Sequence, residues 1–221
     1  MAAITLHGPA YSVYTRIVRV TLAEKGLGYT LAEVDFISGG MPDEQKARHP
    51  FGVVPALVHG RETFIETAAI TTYLDECFPD PAMRSATPEA RARMNAAISV
   101  LDQYLWPDIQ ELVTQSLFTA LVGGWPDDSI KERMVKRLSE TLPVLERDFL
   151  QAGHFGGDVF TLADAHAAPM IAYLSMTVEG AGLLAQCPAL ASWWGRVKQR
   201  ASLVATEIDF QAYAWARRGD D

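Results

Sequence analysis

Apolar residues recur along this chain first in short strand-like and helix-like runs and then, beyond residue 88, almost wholly at helical spacing. Residues 4–7 (Ile-Thr-Leu-His) read as a strand and residues 8–12 as a loop. From Tyr14 to Lys25, the side chains Ile17, Val18, Thr21 and Leu22 fall on one helical face, and Gly26 supplies a C′ residue that stops the helix. Residues 31–36 read as a second strand, so the opening is a βαβ unit with a parallel pair and a right-handed crossover. A loop over 38–42, one helical turn over 43–48, a hairpin of 55–58 with 63–65 around 59–62, and a helix over 67–77 complete a βαβαββα order.

Residues 78–88 carry three prolines, too many for the interior of a helix or strand, and are expected to be a linker. The expected division is residues 1–78 for the α/β domain, 79–88 for the linker and 89–221 for an all-α helical bundle. In that second part a long amphipathic run spans 89–121, bent at Pro107 and ended by Gly123-Gly124. A helix over 129–150 with a bend at Pro143 follows, then a loop over 153–158. Thr161-Leu162-Ala163-Asp164 is a variant capping box opening the nearly uncharged run 165–177, which must be buried for want of a polar face. Residues 188–200 form an amphipathic helix, and 201–217 hold one more before a short acidic tail.

Composition narrows the function. The 221 residues are 49% hydrophobic, yet no apolar run approaches the roughly 18–20 residues a membrane span needs. Residues 1–5 carry no basic flank and no long apolar segment, so a cytoplasmic protein is expected. A net charge of -8 without a basic tract argues against nucleic acid and anionic membranes as partners. Cys77 and Cys187 stand far apart without metal-ligand or dithiol spacing, so both are expected as inert core residues, with no metal site.

The candidate chemistry lies in three stretches of the first domain. In Phe51-Gly52-Val53-Val54-Pro55-Ala56-Leu57, a proline at the head of a strand leaves the amide and carbonyl of Val54 available. With a cis bond they could pair an extended peptide; a trans turn proline is the alternative. Glu66-Thr67 opens the helix that follows the hairpin, and a hydroxyl at a helix start is a ready anion site. Residues 8–19, Gly-Pro-Ala-Tyr-Ser-Val-Tyr-Thr-Arg-Ile-Val-Arg, place Ser12 at the start of the first helix.

Together these stretches resemble the serine-type glutathione transferases, the phi and tau classes of plants and their bacterial relatives. The resemblance runs through most of the chain and includes the capping box at Thr161 and Asp164. It implies a thioredoxin-like first domain followed by a helical bundle. It also implies glutathione as cosubstrate, and a homodimer that joins the glutathione thiol to a small hydrophobic electrophile or reduces a peroxide with it. By that resemblance Ser12 donates a hydrogen bond to the glutathione thiolate, with Tyr11 as the alternative hydroxyl. Ser12 equally suits a helix N-cap, and Tyr11 an aromatic packing role. Val54 and Pro55 would meet the peptide backbone, and Glu66 and Thr67 the γ-glutamyl end. Phe51 would enter a partner subunit, and Tyr14, Trp106, Ile109, Gln110, Val113 and Leu117 would line the electrophile pocket; the same residues also suit plain core positions.

Two departures stand out. Where phi-type relatives carry His-Lys to hold the glycyl carboxylate this chain has Gly40-Met41, and where they carry Gln or Lys before Val-Pro it has Val53. Lys46, Arg48, His49 and Arg16 are the candidate substitutes. A second function therefore stays open: a non-catalytic binding protein on the same scaffold, resembling the stringent starvation proteins.

Overall fold

Strands β1 (Ile4–His7), β2 (Thr30–Ala32), β3 (Ala56–His59) and β4 (Glu62–Ile65) form one mixed sheet in the order β2-β1-β3-β4. This computed structural model describes residues 2–37, 39–119 and 123–209. β1 pairs with β2 in parallel and with β3 antiparallel, and β3 pairs with β4 antiparallel. Helices α1 (Val13–Glu24), α2 (Asp43–Arg48) and α3 (Thr67–Cys77) complete the βαβαββα order of a thioredoxin-like unit. Alternation along β1 turns Ile4 and Leu6 inward, where they meet Leu57, Val18 and Leu22 of α1, and Ile70 and Leu74 of α3. The second strand is shorter than its apolar run: pairing stops at Ala32, and Val34 is buried beyond the ladder.

The chain divides into two units, residues up to 83 together with 201–209, and residues 84–200. In the first, buried Lys25 closes α1 onto the segment after α3. Its ammonium donates to the carbonyls of Phe78 (2.8 Å) and Pro81 (2.7 Å) and pairs with Asp75. Helix α10 (Ala201–Ala205) belongs to this unit too, held where Arg16 donates to the Leu203 carbonyl at 3.2 Å.

The second unit is helical. Thr87 caps α4 (Pro88–Val100), accepting from the Ala90 amide at 3.2 Å. The expected single helix over 89–121 is interrupted by π-helical turns at Leu101–Leu105 and Thr114–Phe118, between which α5 (Trp106–Val113) runs with Pro107 in its first turn. Its expected end at Leu121 lies outside the described residues, as do residues 210–217 of the last expected helix. Next come α6 (Asp128–Phe149), a two-residue ladder of β5 (Leu150–Gln151) with β6 (His154–Phe155) where a loop was expected, and α7 (Leu162–Ser175). Helices α8 (Val178–Ala185), which the sequence pattern did not reveal, and α9 (Pro188–Val197) close the unit.

All thirteen residues of α7 from Leu162 to Leu174 are buried. Thr161 accepts from the Ala163 amide at 3.2 Å, while Asp164 accepts from the Thr161 amide at 2.9 Å. The same carboxylate accepts from the Trp193 indole (2.7 Å) and the Phe155 amide (3.1 Å). Among the described residues no single helix is long and apolar enough to cross a membrane. Cys187 is buried, but Cys77 is exposed, a correction to the core position expected of it: the inward row of α3 stops at Leu74 and Asp75.

Candidate active site

Three loops leave the same end of the sheet. In its last register row His7 pairs with Ala32 on one side and Ala56 on the other, and Ala56 pairs with Ile65. Residues 8–12 follow β1, residues 53–55 precede β3, and residues 66–67 follow β4, so Ser12, Val54, Glu66 and Thr67 are all delivered there.

The first loop is built to start a helix close to the sheet. The Gly8 amide donates to the Ala32 carbonyl at 3.0 Å, prolonging the parallel pairing, and the Ser12 amide donates to the Pro9 carbonyl at 3.0 Å. A Cβ on Gly8 would collide with the Thr15 hydroxyl, so glycine is what permits this approach. Ser12 is extended (φ -69°, ψ 129°) and caps α1: its Oγ accepts from the Thr15 amide at 3.4 Å. That bond uses the oxygen as acceptor, and among the described residues the hydroxyl hydrogen is given to no other group. No acidic residue lies in the first turn of α1 to offset its positive end. Tyr11 is 6% exposed, with its ring edge-on to Phe36 at 5.7 Å.

In the second loop the Val54–Pro55 bond is cis. Gln45 donates to the Val53 carbonyl at 2.8 Å, while the amide and carbonyl of Val54 pair with no other group among the described residues. In the third, Glu66 stands at the N-cap of α3 with φ 66°, a left-handed conformation that costs a non-glycine residue about 1–3 kcal/mol and clusters at functional sites. Its side chain makes no capping bond, so the first amides of α3 are left for another acceptor. Glu66 is 66% exposed, and its Oε1 lies 3.8 Å from Nε2 of buried His49. Thr67 is buried beside it.

Two of the substitute cations have other engagements. Arg16 is buried on the Leu203 carbonyl, and Lys46 pairs with Asp43 at 2.9 Å. Arg48 lies near enough to His7 that, after burial, its charge is the second cause holding that imidazole below its usual range. Phe51 is 79% exposed, with its ring edge-on to His49 at 6.2 Å. Of the pocket candidates, Ile109 and Val113 are buried in the second unit, Trp106 is buried against Tyr173 (6.0 Å), Leu117 is half-buried and Gln110 exposed; Tyr14 is half-buried on α1. The approach of His49 to Glu66 has no sequence signal, because it depends on how the turn after α2 folds back. Among the described residues no group of three or more His, Cys, Asp or Glu is arranged to hold a metal.

The amino-terminal domain of glutathione S-transferases matches residues 6–82, and the carboxy-terminal domain matches residues 109–201. Over 210 residues, 93% of this chain and 94% of the relative, the sequence is 32% identical to glutathione S-transferase 3 of Zea mays. The chain belongs to the glutathione S-transferase family. Its fold superposes on glutathione S-transferase III in apo form with a TM-score of 0.83 at 32% identity, covering 93% of this chain and 95% of that one. It superposes equally, at 0.83 and 25% identity, on glutathione S-transferase I from mais in complex with an atrazine glutathione conjugate, covering 93% and 96%. Membership sets the enzyme above the non-catalytic binder. It also gives the three loops of this transferase a common ligand to be weighed against.

Proposed function

We propose that this protein binds glutathione across the three loops, holds its thiol as a thiolate through Ser12, and transfers it to a small hydrophobic electrophile. The observation that carries the reading is Ser12 itself: its oxygen caps α1 while its hydroxyl hydrogen remains to be donated. Val54, with Pro55 behind it, pairs the peptide backbone of glutathione. Glu66 faces the α-ammonium, and Thr67 with the first amides of α3 faces the α-carboxylate. Of the candidates for the electrophile in the second unit, half-buried Leu117 and exposed Gln110 are open to a ligand, whereas Ile109 and Val113 lie in that unit's core. Phe51, exposed on the surface of a single chain, anchors a homodimer. Two unbridged cysteines support a cytoplasmic setting.

The energetics suffice without a general base. Lowering a thiol pKa of about 8.5 by ~2 units takes about 2.7 kcal/mol of preferential anion stabilisation. A hydroxyl donating to a charged acceptor contributes roughly 1.5–3 kcal/mol, and the end of a helix about 0.3–1 kcal/mol. The thiol proton passes to solvent, the thiolate attacks the electrophilic carbon, the C–S bond forms and the leaving group departs. With an aryl halide as probe, Ser12→Ala is expected to lower kcat/KM about 10–100-fold at neutral pH, as the thiolate fraction falls. The glutathione dissociation constant should change less than about 3-fold, since the other loops still hold the peptide. An unchanged kcat/KM would remove Ser12 from the chemistry.

A further inference from the structure

His49 is only 2% exposed, yet its Nδ1 is buried without a hydrogen-bond partner among the described residues. Most buried side-chain polar atoms in folded proteins have a hydrogen-bond partner, and among the described residues this nitrogen has none. The ring presents its second nitrogen to an acid that is two-thirds exposed, at 3.8 Å. Its backbone is fixed on both sides: the His49 amide donates to the Gln45 carbonyl at 2.8 Å, and the Gly52 amide donates to the His49 carbonyl at 2.8 Å. Orphaned N–H groups are rarer in protein interiors than under-used acceptors. The ring proton therefore belongs on Nε2, where it faces the carboxylate, and the lone pair on the unpaired Nδ1. His49 is thus a rigid donor beside a carboxylate whose backbone is also fixed, at φ 66°.

We infer that His49 is a positioning residue that orients the Glu66 carboxylate toward the α-ammonium of the γ-glutamyl group. The inference rests on the reading above that Glu66 receives that ammonium. One carboxylate oxygen is steadied by the imidazole and the other is turned to the ligand. Functional contacts that are long in an unliganded site tighten when the ligand closes it. Histidine at this position narrows the rotamers of an exposed glutamate, and so raises affinity at one end of the peptide without touching the thiol.

The test compares glutathione with its deamino analogue, glutaryl-cysteinyl-glycine, by calorimetry on the whole protein. The wild type is expected to prefer glutathione by at least about 10-fold, the worth of one charge-assisted contact. His49→Ala should weaken glutathione about 3–10-fold while changing the analogue less than about 2-fold, with kcat at saturating glutathione within about 2-fold. His49→Gln, whose amide nitrogen can take the place of Nε2, should restore the preference; His49→Asn, whose amide takes the place of Nδ1, should not. If His49→Ala weakens both ligands alike, the residue merely holds its loop and the inference is overturned. Should the alanine variant fail to fold, equal preference in the Gln and Asn variants overturns it as well. A wild type that does not distinguish the two ligands removes Glu66 from the ammonium, and the positioning role falls with it.

Discussion

Asp164 combines two kinds of residue-scale information. Its place three positions after Thr161 was legible as a capping box, but its bonds to the Trp193 indole and the Phe155 amide join distant parts of the chain and had no local signature. Removing the carboxylate would leave these donors and the Thr161 amide unpaired in a dry interior. Asp164→Ala is accordingly expected to cost about 3 kcal/mol or more, beyond the ~1 kcal/mol of a cap alone. The melting temperature should fall by several degrees while the folded fraction binds glutathione normally; an unchanged melting temperature would contradict the assignment. His49 shows the same limit of local reading. Its charge type singled it out as a candidate cation, but burial and the turn through Gly52 decide that it meets Glu66.

At the scale of elements, period and caps were readable wherever one face decided the structure. Helix α3 spans Thr67–Cys77, the same residues its pattern indicates, and the buried run of α7 follows from its lack of polar side chains. Helix α8 was missed because Gly180 and Gly182 argue against a helix, yet a Cβ on Gly180 would strike the Leu174 carbonyl, so close packing requires the glycine. The π turns flanking α5 and the two-residue ladder of β5 with β6 are too short to impose a period on the sequence.

Inside α7, burial pushes the His166 imidazole down to about 3 from 6.5. The unfolded chain therefore binds a proton that the folded one refuses throughout that window, and stability contributed by the neutral ring is lost as pH falls. The loss approaches about 1.4 kcal/mol per pH unit between roughly 6 and 3.5. In denaturant titrations, His166→Leu should unfold with a shallower pH slope than the wild type over this range. Equal slopes would mean that the ring is not held neutral.

For the whole molecule, the two-part organisation was visible from the cluster of prolines and from the change to helical spacing. What a single chain does not carry is its assembly. Phe51 leaves 79% of its surface in solvent, open to a partner subunit. An aromatic anchor is worth more than ~2 kcal/mol when truncated, so Phe51→Ser should shift sedimentation toward monomer at low concentration. A monomeric wild type would end the dimer reading.

The central claim is that one hydroxyl at a helix start makes a thiolate from a bound thiol. It is tested most directly by the ultraviolet difference spectrum of the glutathione complex near pH 7. The wild type should display thiolate absorbance titrating about 2 units below free glutathione. Ser12→Ala should lose most of that absorbance while still binding glutathione, and Tyr11→Phe should keep it. Loss of the signal in Tyr11→Phe with retention in Ser12→Ala would exchange the two roles, and a wild-type complex with no thiolate band would contradict the account.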